Sequence, residues 1–247
     1  RNTYSNEAAF KYFLLGAFAS GFLLLGITFV YGGTGSFNTL QIASSSVLGA
    51  GISKQLLTIG LLLILFAMAF KVSAVPFHFW TPDVYTGSPT VVTAYMSTIV
   101  KLGALAGFYR LFSIVLVFDA STFTTTLIII SVLTIVVGNV IAASQSNTKR
   151  LLAFSSIGHA GFVLLANTMI SPSTPYVVWY YIAAYTLSSM AAFWVLIKLD
   201  NHDISAFNGL VKRNPLLAGT MTIALLSMAG IPPMAGFFAK YFVLLNT

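Results

Sequence analysis

Residues 56–70 read LLTIGLLLILFAMAF, a continuous apolar run without a charged side chain. About 20 such residues cross a bilayer as an α-helix at 1.5 Å per residue. Backbone polar groups in lipid must be satisfied internally, so only helices and closed barrels span membranes. A barrel strand alternates polar and apolar over about ten residues, which this run does not do, and the choice falls on helices. Of 247 residues, 57% are hydrophobic and 7% charged, against roughly 25% charged in an ordinary soluble domain. Mean hydropathy is +0.91. Twenty-one Phe, eleven Tyr and five acidic residues exclude disorder, because disordered chains are charged and poor in aromatics. The chain therefore reads as an all-α polytopic membrane protein. Its formal charge of +7 orients loops in such a protein and implies no nucleic-acid partner. The absence of cysteine excludes disulfides and thiolate or iron–sulfur ligation in this chain.

Outward from that run, the apolar pattern predicts seven spans at 7–31, 55–82, 89–117, 123–144, 150–169, 176–198 and 215–246. The Gly-, Ser-, Asn- and Thr-rich stretch 32–54 is a long loop with a short surface helix expected around Leu40 to Leu48. Residues 1–247 form a single transmembrane domain, with no soluble domain or short-period repeat. The chain opens at Arg1 without Met and stops at Thr247 directly after an apolar run, so further chain is expected on both sides. Cytoplasmic loops collect Lys and Arg. Seven spans place Arg1, Lys149, Arg150, Lys198, Lys212 and Arg213 on one side and Lys54 and Arg110 on the other. The Arg1 side is then cytoplasmic.

Two spans are long and interrupted. The second would reach about 42 Å if straight and carries Pro76 and Pro82 in VSAVPFHFWTPD; the last carries Gly230, Pro232 and Pro233 in SMAGIPPMAGFFAK. Proline removes a backbone donor and clashes with the preceding turn. Each site reads either as a simple kink or as a discontinuous helix of the kind that lines polar cavities in transporters with inverted repeats. A lysine beside each break favours the second reading.

Those lysines carry the chemistry. Lys71 lies just before the first break, Lys101 in the middle of the third span, and Lys240 just after the second break. Each costs about 2.5–3.5 kcal/mol to insert at a helix centre. Snorkelling to the interface explains Lys198 at a span end but not Lys101, which must face a hydrated interior. Desolvation penalises the charged form, so a row of such lysines can exchange protons. Glu7 and Lys11 have the spacing of a helical ion pair, read either as an interfacial contact or as a pair that biases a neighbouring lysine. His78, beside the first break, and His159, in mid-span, are packing residues or bridges between lysines. Ser155, Ser156, Ser188 and Ser189 can hydrogen-bond across helices or hold water. The sequence contains no phosphate-binding or dinucleotide-binding glycine motif and no haem-ligand or metal-ligand spacing, so no cofactor is expected in this chain.

The segments FKVSAVPFHFWTPDVYTGSPTVVTAYMSTIVKLGALAGFYRLF, GNVIAASQSNTKRLLAFSSIGHAGFVLLA and LLSMAGIPPMAGFFAKYFVL together resemble the antiporter-like subunit N family of bacterial proton-translocating NADH:quinone oxidoreductase, respiratory complex I. The resemblance covers nearly the whole chain, and the PFHFWTPDVYTGSPT run is its most specific part. It implies a fold of fourteen helices with two inverted five-helix repeats, of which this chain is similar to helices six to twelve. It further implies a proton relay through Lys71, Lys101, Lys240, His78 and His159, with Glu7 and Lys11 as the charged pair of the sixth helix. The family's glutamate of the fifth helix has no counterpart here. NADH, FMN, iron–sulfur clusters and quinone are expected in partner subunits, alongside neighbouring membrane subunits and the lipid of a bacterial cytoplasmic membrane. A stand-alone cation/proton antiporter of the same superfamily is the alternative.

Overall fold

The computed structural model describes residues 3–42, 53–118, 120–168, 171–199 and 201–246. The chain is a bundle of helices: α1 (Thr3–Thr34), α2 (Lys54–Val72), α3 (Trp80–Gly87), α4 (Thr90–Tyr95), α5 (Lys101–Phe118), α6 (Ala120–Ala143), α7 (Thr148–Ala166), α8 (Thr174–Lys198), α9 (Leu210–Arg213), α10 (Pro215–Ala229) and α11 (Ala235–Asn246). A π-helical turn, Met96–Val100, joins α4 to α5. Among the described residues, five helical stretches are long and apolar enough to cross a membrane, namely Thr3–Thr34, Lys54–Val72, Thr90–Ser113, Phe123–Ala143 and Thr174–Lys198. The two remaining predicted spans correspond to α7 and to the shorter apolar pair α10 and α11. Of the surface helix expected around Leu40 to Leu48, residues 39–42 are helical and the rest lies outside the described residues.

Local chemistry sets the boundaries. Ser53, Asn147 and Asn214 cap α2, α7 and α10 by accepting from the N–H groups of Leu56, Arg150 and Leu217, satisfying donors that a first helical turn leaves free. Pro215 at the first helical position of α10 has no N–H to lose. Both predicted breaks are discontinuities. Helix α2 ends at Ser73 in the left-handed conformation (φ 66°), and α10 ends at Gly230 (φ 83°). Each break contains a cis proline bond, Val75–Pro76 and Pro232–Pro233.

Two helix pairs form the most extensive contacts of the bundle. On α1 and α2, a Cβ at Gly26 would lie 2.7 Å from the Gly60 oxygen, and one at Gly60 would lie 2.8 Å from the Gly26 oxygen. On α6 and α7, a Cβ at Gly138 would lie 2.6 Å from the Gly158 nitrogen. Such small residues let backbones meet where no hydrophobic force pulls helices together. Helix α7 is the central element, buried along most of its length, and it packs on α6, α3, α8 and α11. Loop 144–147 and residues 201–204 pair at one end of the bundle, where Thr148 N–H donates to His202 O at 2.7 Å and Ile204 N–H to Ser146 O at 3.0 Å. The α3–α4 turn joins them there, with Thr90 Oγ1 3.0 Å from His202 Nε2.

Candidate functional site

Helix α7 and the π-helical turn position Lys101. The turn adds a residue to the helical period, which rotates everything after it around the axis. Carbonyls that it displaces take side-chain donors: Thr98 Oγ1 to Ala94 O at 2.6 Å, Ser97 Oγ to the same oxygen at 3.1 Å, and Tyr185 OH to Ser97 O at 3.2 Å. Lys101 is only 3% exposed, and its ammonium donates to Ser156 O at 2.7 Å and Ser156 Oγ at 2.9 Å. The hydroxyls of Tyr85 and Tyr185 converge on the same serine.

One turn along α7, buried His159 pairs its Nδ1 with Tyr181 OH at 2.8 Å, and its ring lies 4.9 Å from that of Tyr185. It lines a crevice of about 400 Å³ with Asn139, Ser155, Phe162 and Lys240. Lys240 reaches back from α11 to the end of α10, where it donates to Met228 O and Ala229 O at 2.9 Å each. Unpaired carbonyls and the negative end of the helix dipole favour a cation there. The ammonium also sits 5.5 Å from the centre of the Phe162 ring. Lys101, His159 and Lys240 thus follow one polar line through the bundle. Among the described residues neither lysine pairs with a carboxylate, so no fixed anion locks either into its charged form.

The remaining expected residues lie elsewhere. Lys71 is exposed on the outside of α2 and makes no hydrogen bond or ion pair among the described residues. His78 is buried at the first break against Phe79, 4.5 Å between ring centres, and its Nδ1 has no hydrogen-bond partner among the described residues. Glu7 and Lys11 form the expected ion pair at 2.8 Å. Lys11 also contacts Asp83 of α3 at 2.8 Å, and Arg150 reaches the other Asp83 oxygen at 3.5 Å. This group opens on a cleft of about 500 Å³ at the loop end of the bundle, apart from the Lys101–Lys240 line.

Sequence reasoning gave no role to Asp83, Lys149, Tyr181 or Tyr185. Lys149, counted as a loop cation, is 3% exposed and donates to Ser88 O at 2.6 Å and Thr86 O at 3.4 Å. The only signal for Asp83 was the rarity of acids in the chain.

The same architecture occurs in known proteins. The family model described as NADH:quinone oxidoreductase/Mrp antiporter, TM matches residues 1–247. The NADH-quinone oxidoreductase subunit N of Flavobacterium johnsoniae is 46% identical over 98% of this chain and 54% of its own length. Respiratory complex I from Thermus thermophilus with bound aureothin contains a chain 40% identical, with a TM-score of 0.82 over 97% of this chain and 52% of that one. The Mrp complex of a Dietzia species contains one 25% identical, with a TM-score of 0.86 over 100% of this chain and 46% of that one. The chain spans about half the length of the curated relatives it matches. With a match along its whole length and a broken-helix bundle to go with it, the chain belongs to the NADH:quinone oxidoreductase/Mrp antiporter membrane family.

Proposed function

We propose that this chain is the proton-conducting core of subunit N of a proton-translocating NADH:quinone oxidoreductase. The observation that carries the reading is Lys101, held inside the bundle by a carbonyl and a hydroxyl of Ser156, one helical turn from His159, which lines the same crevice as Lys240. A buried lysine has an insertion cost that a scaffold would avoid with Leu or Met. Lys101 and Lys240 store protons in this reading, His159 passes them on, and Lys71 and His78 extend the path at the first break. Glu7 and Lys11 set the charge at the loop end together with Asp83. Redox free energy comes from partner subunits, which hold NADH, FMN, iron–sulfur clusters and quinone. This chain supplies the sites where protons dwell, and a charge change at one shifts the next by Coulomb coupling. Residues 1–247 work as a single antiporter-like domain in a bacterial cytoplasmic membrane, with the Arg1 side cytoplasmic and neighbouring membrane subunits at its flanks.

A stand-alone cation/proton antiporter is the second reading, supported by the likeness to the Mrp complex. Identities of 40–46% to oxidoreductase chains against 25% to Mrp favour the first. The deciding experiment places Lys101→Met in the intact parent protein and follows NADH-driven acidification of inverted membrane vesicles alongside quinone reduction. Loss of both with the complex assembled supports the redox-coupled path. If both persist and only cation/proton exchange disappears, the antiporter reading replaces it.

A further inference from the structure

Where α7, residues 204–211 and α10 meet, the bundle carries an apolar groove that the relay does not use. It holds about 340 Å³ and runs along Ala218, Met221, Thr222 and Leu225, whose spacing of i, i+3, i+4 and i+7 is one face of α10. At 1.5 Å per residue the stripe is about 10 Å long. It leads from the loop end, where α7 and α10 both begin, into the apolar depth of the bundle. Ile204, Phe207 and Val211 line the groove from the loop segment. Ile204 is 47% exposed and Val211 69%, so the groove is open to its surroundings.

The two ends of the groove differ in chemistry. At the loop end Val211 is followed by Lys212 and Arg213. Arg213 Nη2 donates to Ala206 O at 2.9 Å and to Asn208 O at 3.0 Å, the residues on either side of Phe207, which fixes the guanidinium at the rim. Its other two nitrogens still carry N–H donors, and these have no acceptor among the described residues. Lys212 is exposed and makes no hydrogen bond or ion pair among the described residues. Asp203, beside Ile204, pairs with neither cation there. Thr148 lines the groove, and its buried hydroxyl has no hydrogen-bond partner among the described residues. At the inner end Leu151 and Leu225 line both this groove and the crevice that holds Lys240.

We propose that this groove binds one anionic phospholipid, with an acyl chain laid along the stripe from Ala218 to Leu225 and the phosphate held by Lys212 and Arg213. Size favours a chain over a helix. One helical turn, about 10 Å across and 5.4 Å tall, fills roughly 400 Å³, more than the whole groove, whereas an acyl chain is one methylene wide. Charge favours an anionic headgroup, since basic residues at a membrane surface attract acidic lipids and the planar guanidinium matches two phosphate oxygens at once. A seated chain packs on Leu151 and Leu225, the partition between the groove and the Lys240 crevice. The site needs the membrane setting of the chain and does not need the relay.

The test uses the full parent protein in its native complex, stripped of lipid in detergent and placed in nanodiscs of phosphatidylcholine, alone or mixed with phosphatidylglycerol. Cryo-EM maps of the mixed nanodiscs should show chain-like density along Ala218, Met221 and Leu225 that ends at Lys212, and maps with phosphatidylcholine alone should lack it. In Lys212→Ala, an exposed change that leaves folding intact, the phosphatidylglycerol fraction that half-fills the site should rise about fivefold, the effect of one basic residue beside an anionic headgroup. Ala218→Phe fills the groove and should remove the density with either lipid. Equal density with both lipids that Lys212→Ala does not change overturns the proposal. So does a helix of the parent chain or of a neighbouring subunit seated in the groove, or an empty groove in a map that shows lipid elsewhere. None of these readouts is a transport rate, so failure of the site leaves the relay reading standing.

Discussion

The two breaks in the bundle share a backbone and differ in what closes them. At each, the helix ends on a left-handed residue whose N–H turns back to the preceding carbonyls: Ser73 to Ala69 and Phe70, Gly230 to Leu226 and Ser227. At the first break the next half-helix reaches back with a neutral group, as Trp80 Nε1 donates to Phe70 O at 3.1 Å, and Thr134 secures Val75 N–H from α6 at 2.9 Å. At the second it reaches back with the Lys240 ammonium to Met228 O and Ala229 O. The same exposed helix end is sealed by the Trp80 indole in one case and by the Lys240 ammonium in the other. The two breaks share a frame, and the side chain returning to its carbonyls decides whether a charge sits there.

The largest way to disturb this contrast is at the second break. Gly236→Ala puts a methyl group on the Ser227 carbonyl, and a Cβ there would overlap that oxygen. Overpacking of this kind costs roughly 1–3 kcal/mol or more, and we expect poor assembly, read by the yield and melting temperature of the purified complex. The closures themselves come next. Lys240→Met strips the ammonium from Met228 O and Ala229 O, and Trp80→Phe removes one of the two donors to Phe70 O, which keeps Ser73 N–H; each lost hydrogen bond is worth about 0.5–1.5 kcal/mol. Thermal stability should fall in both, while proton translocation should vanish only in Lys240→Met. Equal transport loss in the two would erase the distinction.

A smaller effect separates the two left-handed residues. Gly230→Ala should destabilise by about 1–2 kcal/mol, the cost of a Cβ in that conformation, and the added Cβ would lie 3.0 Å from the Lys240 side chain. Ser73→Gly relieves the same strain but loses the 2.7 Å bond from Thr81 Oγ1, and its melting temperature should barely move. Smallest of all is Glu7→Ala, since the pair with Lys11 is largely solvent-exposed and such pairs add little to stability. A melting shift that shrinks further in high salt is expected.

Much of the fold was legible because insertion into lipid is a strong and local constraint. The spans, both breaks and the improbable lysines all follow from the cost of placing a residue at depth. What the sequence hides is angle. Lys71 and Lys101 carry the same cost, yet one points outward from α2 and the other into the bundle, because the π-helical turn at Met96–Val100 resets the face on which Lys101 lies. Tyr185, far along the chain, donates to Ser97 O within that turn, and the turn leaves no periodic trace. Lys149 reads as a loop cation and Asp83 passes without a role for a related reason. A charge near a span end looks solvated until the tertiary fold brings Lys11, Arg150 and the α3 carbonyls against it. Tyr181 and Tyr185 read as ordinary apolar bulk, since one hydroxyl does not alter a hydropathy pattern.

The glycine crossings have a mechanical consequence. Backbones in contact at Gly26 and Gly60, and again at Gly138 and Gly158, cannot slide past one another without collision, so α1–α2 and α6–α7 behave as two stiff plates. Helix α3 lies between them as a short strut, fastened to the first plate by Ser5 Oγ on Gly87 O at 2.7 Å and to the second by Lys149 on Ser88 O. Eight residues of helix are thus tied at one end to both pairs. The break that frees α3 from α2 makes it a lever instead of a continuation.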